Sequence, residues 1–288
     1  MSIDFTIIRE GREFYCKANG GTKFYVGRQV SYQGRVGLKN DHDASITKVK
    51  YDPTNYPEFG FWAQFLAPTA QAESRSSFIV LNTYDRAAFT FGAFQFAAHV
   101  PNGDFVKFLR SMLERAEAEE YFPNLVVENR RICSVELMTE VQLEDDNSTQ
   151  KLQKYLNQAD EIVDDREIIA AAKLIHWTTH HIEVRQLQVH HCVSVAQQYM
   201  DRLDRRLNLD NRTAGECCVA FDILHHGRGG SNTFPTLQRA LASTKPLDKL
   251  LEIGEEQYAE RIRTLRAGLK AEPGFASKKW STEHRDFQ

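Results

Sequence analysis

The chain has 288 residues, 42% hydrophobic and 26% charged, an ordinary globular composition that can bury a sizeable core as one large domain or two modest ones. Its formal net charge of −3 lacks the excess of Lys and Arg that neutralising phosphates requires, which argues against a dedicated nucleic-acid binder. No apolar run reaches membrane-spanning length, and Asp4, Arg9 and Glu10 interrupt the first ten residues where a signal peptide would be basic and then apolar.

Residues 1–50 alternate apolar and polar positions, as in Phe5-Thr6-Ile7-Ile8 and Lys23-Phe24-Tyr25-Val26, with turn signals at Asn19-Gly20-Gly21 and Gln33-Gly34. This pattern predicts a small β-rich lead-in, set apart from a larger domain over 51–288. A Pro-rich turn around Pro53 and Pro57 follows, then Phe59, Phe61, Trp62, Phe65 and Leu66 at helical spacing, with Pro68 expected to kink or restart the helix. A short strand or hairpin is expected over about 80–98. Asn102-Gly103-Asp104 then opens a helix through Phe105, Phe108, Leu109 and Met112.

After the acidic stretch 143–149, a helix over 152–156 has Ser148 or Thr149 to cap it. Helical periodicity then fills 167–177, 184–207, 217–225 and 247–269, the last as one helix through Leu250, Gly254, Tyr258 and Ile262. A helical bundle is therefore expected over about 164–270, and the tail beyond Pro273 is expected to be loosely held.

Chemistry-bearing residues gather in 72–95. Glu73 ends the aromatic helix, where Phe61, Trp62 and Phe65 are expected to dry it and keep a general acid loaded. Asp85 lies on the alternating segment with Thr90, suited to base and water-holding roles. Paired carboxyls in a dry and a wet setting are what glycosidic cleavage needs. The plainer reading makes Glu73 a surface helix-end acid, Asp85 a turn former and Thr90 a strand residue.

Asp85-Arg86-Ala87-Ala88-Phe89-Thr90-Phe91-Gly92 resembles the D-G-R-G-Y-T-x-G segment of the inverting chitosanases of the lysozyme superfamily, and Glu73-Ser74 resembles the E-x-S before it. The likeness covers about 73–104, with a weaker echo at Asp222-Ile223-Leu224-His225-His226-Gly227. It departs in a shorter interval from Glu to Asp and in replaced glycines. The resemblance implies Glu73 as general acid, Asp85 as base, Thr90 as the holder of water and Asp104 as a sugar contact. An inverting pair stands roughly 6.5–9.5 Å apart. Tyr84, Gln95, His226 and Arg228 are further candidates to line the sugar cleft.

Other constellations are weaker. His180-His181 and His190-His191 lack the Cys, Asp or Glu that would complete a zinc set. Cys217-Cys218 reads as core packing, Gly227-Arg228-Gly229-Gly230-Ser231 as a helix-ending turn, and five cysteines without a C-x-x-C pair as mostly free thiols. No cofactor and no metal are expected.

The expected fold class is α+β, mostly α: a lysozyme-like helical domain with a small sheet at the catalytic cleft and the β-rich lead-in. The expected substrate is peptidoglycan, with chitosan as the alternative and a non-catalytic glycan-binding or interaction protein as the reading of another class. Synthesis in the cytoplasm is expected, followed by action in the periplasm or outside the cell after non-standard export or lysis. If the chain is an antibacterial effector, an inhibitor or immunity protein that plugs the groove is an expected partner.

Overall fold

A computed structural model describes residues 2–136, 139–159 and 161–288. It is a mixed α+β structure, 48% helical and 19% strand. In chain order the strands β1 (Phe5–Glu10), β2 (Glu13–Ala18), β3 (Phe24–Tyr32) and β4 (Arg35–Lys39) precede helix α1 (Phe61–Ser74). The short strands β5 (Leu81–Asn82), β6 (Thr90–Phe91) and β7 (Phe96–Ala97) lead to α2 (Asp104–Leu113) and α3 (Ala118–Tyr121). Strands β8 (Leu125–Glu128), β9 (Arg131–Glu136) and β10 (Thr139–Gln142) are followed by α4 (Gln150–Leu156), α5 (Asp165–His180), α6 (Ile182–Leu207) and α7 (Ala214–His226). Then come α8 (Thr233–Leu241), α9 (Pro246–Leu251), α10 (Ala259–Ala271), α11 (Gly274–Ser277), β11 (Trp280–Ser281) and β12 (Asp286–Phe287).

The chain divides into two compact units, Met1–Lys50 with Ser77–His191 and Tyr51–Ser76 with Cys192–Gln288. A division does fall between Lys50 and Tyr51, but residues 1–50 share their unit with 77–191, so the two units interleave along the chain. In the first unit β1 to β7 form one antiparallel meander, so the lead-in is not a separate segment. Lys39 of β4 pairs with Asn82 of β5, joining the lead-in to the strands that follow. Alternation alone defines a strand's two faces and leaves its partner open.

Helix α5 packs on β1, β2 and β3, and its Trp177 stacks on Tyr121 at 4.7 Å. Each large side chain fully buried in this way contributes about 1.5–3 kcal/mol. A second sheet, β10-β9-β8, was not anticipated from the sequence. Buried Glu144 anchors it, accepting hydrogen bonds from Ile132 N and from both Nε and Nη2 of Arg110 on α2.

In the second unit α1 packs against α10 and α7. The Cβ that Gly268 lacks would stand 3.0 Å from Pro68 Cβ, so this glycine permits the close approach of α10 to α1. Helix α7 opens with a capping box, Thr213 accepting from Glu216 N while the Glu216 carboxylate accepts from Thr213 N. Two expectations fail here. The single helix over 247–269 is broken into α9 and α10 at Gly254, which takes φ +76°, outside the helical region. The tail is pinned rather than loose, because Trp280 and Phe287 are buried and pack against Trp62 at 6.1 and 5.2 Å.

Candidate active site

Glu73 lies in the last turn of α1, which stops at Arg75 in the left-handed conformation. The expected dry aromatic setting is not what surrounds its carboxylate. Glu73 Oε1 accepts a 2.7 Å hydrogen bond from Arg261 Nη2 and stands 3.8 Å from His225 Nε2. Arg261, in the first turn of α10, also donates to Asp222 through Nη2 at 2.6 Å and Nε at 3.1 Å. Asp222, on the buried side of α7, is paired in addition with Arg228 Nη1.

Sequence geometry explains how four charges meet. Gly227 ends α7 at φ +79°, which turns the chain so that Arg228 reaches back along the helix to Asp222. Arg228 Nε donates to Ile253 O at 3.1 Å, and the arginine lies close against Gly254, where a Cβ would meet Arg228 Cδ at 3.2 Å. The glycine that breaks the predicted helix thus also makes room for this side chain. His226 sets its ring edge-on to Tyr258 at 4.6 Å between centroids.

The Asp222 and Arg228 side chains are fully buried, Arg261 is 8% exposed and Glu73 is 16% exposed. Burial by itself would raise the Asp222 pKa, but the guanidinium groups of Arg261 and Arg228 hold it below the usual carboxylate range. Burial lowers the pKa of Arg228 from its ordinary value, and burial followed by the Arg261 charge does the same to His226. Desolvation offsets most of the Coulomb gain of a buried ion network, so its main physical consequence is fixed geometry rather than stability.

The structure brings Glu73, His226 and Arg228 together in the second unit, and adds Asp222, His225 and Arg261. Tyr84, Asp85, Thr90, Gln95 and Asp104 belong to the first unit. There Asp85 closes its own turn: Oδ1 accepts from Ala87 N at 2.8 Å and its carbonyl from Ala88 N at 3.0 Å. Thr90 is a buried residue of β6 paired with Asn82 and Ala97. Gln95 sits at φ +51° and bonds to Gly92 O and Asn82 Nδ2, so its amide is engaged in the hairpin. Tyr84 meets Tyr32 edge-on at 6.2 Å, and Asp104 is the first residue of α2.

A second acid was missed. Glu167 on α5 is fully buried, and burial pushes its pKa up to about 8. Its Oε1 accepts from Leu38 N at 3.1 Å and from the Thr83 hydroxyl, while Oε2 is buried without a partner among the described residues. The spacing Asp164-x-x-Glu167 reads as a helix-capping signature. Asp164 does accept from Glu167 N, yet the Glu167 side chain turns inward.

His180 lies 4.2 Å from His176 between ring centroids, and His191 packs edge-on against Phe108. Among the described residues no group of three or more His, Cys, Asp or Glu is placed to hold a metal ion. Cys217 and Cys218 are fully buried, which raises their thiol pKa values well above normal and makes them inert packing groups. No helix among the described residues is long and apolar enough to cross a membrane. No family model matches the chain, and no curated protein or solved structure matches it either.

Proposed function

We propose that this chain is an inverting glycoside hydrolase of the lysozyme type that cleaves β-1,4 bonds of peptidoglycan. Glu73 acts as general acid, Asp85 as base and Thr90 as the residue that orients the attacking water. The observation that carries the reading is the network of Glu73, Arg261, Asp222 and Arg228. Four buried or half-buried charges add little stability, but they hold one group still, and the member most open to solvent is Glu73. Arg261 and His225 both face Oε1, which leaves Oε2 to carry the proton that a general acid delivers to a glycosidic oxygen.

The turn at Asp85 supports the same reading. Ala88 adopts φ +57°, the backbone conformation a glycine takes freely, at the position where the chitosanase segment carries glycine. An alanine there costs roughly 1–2 kcal/mol, a strain associated with functional turns.

The test is loss of turbidity of purified cell walls, with mass spectrometry of the fragments and chitosan assayed in parallel. Glu73→Gln should lower turnover about 10²–10⁴-fold, the worth of a general acid, with folding and glycan binding retained. Intact glycan chains after long incubation with the wild type, or undiminished turnover by the variant, overturns the proposal. One observation favours a non-catalytic glycan-binding protein instead: Asp85 spends a carboxylate oxygen on its own turn. A binder of that kind would retain walls equally well with Gln at position 73.

A further inference from the structure

We infer that Glu167 is the positioning residue of the Asp85 turn, its buried carboxyl clamping the loop 83–88 onto β4 and α5. The inference rests on the reading of Asp85 as the base and extends it to what holds that base in place.

The loop leaves β5 at Asn82 and returns at Thr90, and over 84–88 it is paired with no strand. Side chains supply the anchorage. Thr83 Oγ1 accepts from Leu38 N at 2.6 Å and donates to Glu167 Oε1. Leu38 N also donates to that same Glu167 oxygen at 3.1 Å. The backbone of the loop is bonded too, with Thr83 N donating to Leu38 O at 3.0 Å. At the far side, buried Asn157 donates through Nδ2 to Thr83 O at 3.1 Å and Ala88 O at 3.0 Å, gripping both ends of the turn that contains Asp85.

The approach is close. A Cβ at Gly37 would stand 2.6 Å from Thr83 Oγ1 and 2.8 Å from Tyr84 N, so β4 can meet this loop only with glycine at that position.

Burial holds a carboxyl in this place toward its neutral form, and among the described residues no cation is paired with it. Leu38 from β4 and Thr83 from the loop offer only dipoles. From its own helix end the charge acting on it is Asp164, an anion that also favours the neutral form. Its neighbours Asp165 and Arg166 are exposed, and Asp165 pairs with Arg9. Opening the clamp hydrates the carboxyl, which returns it to ordinary acidity. The closed state therefore loses stability relative to the open one as pH rises from the ordinary value of 4.5 to the value of about 8 held in the closed state.

Hydrogen exchange of the full chain, read by mass spectrometry between pH 4.5 and 9 and corrected for the intrinsic exchange rate, tests this directly. In peptides covering 36–40 and 83–90 the opening constant of the wild type should rise by up to about tenfold per pH unit, levelling off above about pH 8. Peptides covering 125–135, anchored by Glu144, should show no such slope. Glu167→Gln keeps the shape and removes the ionisation, so the slope in 36–40 and 83–90 should vanish. A flat wild-type profile, or an unchanged slope in the variant, overturns the inference.

If the variant fails to fold, infrared spectroscopy of the wild type decides instead. A protonated carboxyl band should persist at pH 6.5 and disappear above about pH 8, and its absence at pH 6.5 overturns the clamp. The hydrolase reading fails separately: a wild type that cuts no wall at any pH defeats the function while the exchange slope still reports on the clamp. Where cutting is observed, the wild type should show an alkaline decline of kcat in addition to the one that loss of the general acid's proton produces, and Glu167→Gln should remove that added part. A purely packing role would leave that pH profile where it was.

Discussion

Replacing Asp222 by Asn tests the buried network most directly, because one atom change removes the carboxylate charge that faces both Arg261 and Arg228. Asp222 accepts two hydrogen bonds from Arg261, at 2.6 and 3.1 Å, and pairs with Arg228. Asn turns an NH₂ donor toward one of those donors and strands a fully buried cation. Breaking a buried pair from one side costs about 3–5 kcal/mol, a large share of the roughly 5–15 kcal/mol that a folded protein has in hand. Urea unfolding followed by fluorescence suits the test, since Trp62 and Trp280 lie in the same unit as Asp222. At a slope near 3 kcal/mol/M the midpoint should fall by about 1 M or more.

The double change Asp222→Asn with Arg228→Met removes the stranded cation and should be less destabilising than the two single costs added, by about 0.5–3 kcal/mol. The pH dependence has a definite sign. Asp222 has a depressed folded pKa, so its contribution is present above the usual carboxylate value and is lost as pH falls through the depressed one. The wild type should show that acid limb and the Asn variant should not. A single-variant cost under about 1 kcal/mol, or strict additivity in the double, refutes the argument that the two arginines depend on one carboxylate.

Glu167 has the opposite sign. With its folded pKa raised from 4.5 to about 8, the wild type should lose about 5 kcal/mol of unfolding free energy between those two pH values, at 1.36 kcal/mol per pH unit; Glu167→Gln should flatten that portion of a chemical-denaturation series, and a variant that keeps the slope contradicts the assignment. Gly92→Ala should destabilise by roughly 1–3 kcal/mol, because Gly92 takes φ +91° and a Cβ there would stand 2.5 Å from Gln188 Oε1; an unchanged melting temperature refutes it. Trp280→Ala should cost about 3–5 kcal/mol, since the buried ring packs with Trp62 and Phe287, and urea midpoints measure it. A loss below about 1 kcal/mol would mean the tail is as loosely held as its sequence suggested.

Local signals in the sequence were dependable where the physics is local. Helical periodicity placed α2, α5, α6 and α7 to within a few residues, and Asn102-Gly103-Asp104 marked the start of α2 correctly. Alternation marked residues 1–50 as strands. Periodicity misled at Gly254, where an apolar face continues in sequence across a backbone that leaves the helix. It misled again at the tail, where polar residues around Trp280 and Phe287 mask two buried anchors.

The sequence by itself located the strands of the lead-in and the helices α2, α5, α6 and α7, and it singled out Glu73, Asp85, His226 and Arg228 as chemistry-bearing residues. Only the tertiary structure decided what those residues touch. Arg261 is 188 positions from Glu73 and Glu167 is 84 from Thr83, separations that no periodic pattern encodes. The reason is that a carboxylate's environment is set by what packs around it. Glu73 ends an aromatic helix yet meets a guanidinium, whereas Glu167 sits in a capping signature and is driven into an uncharged interior.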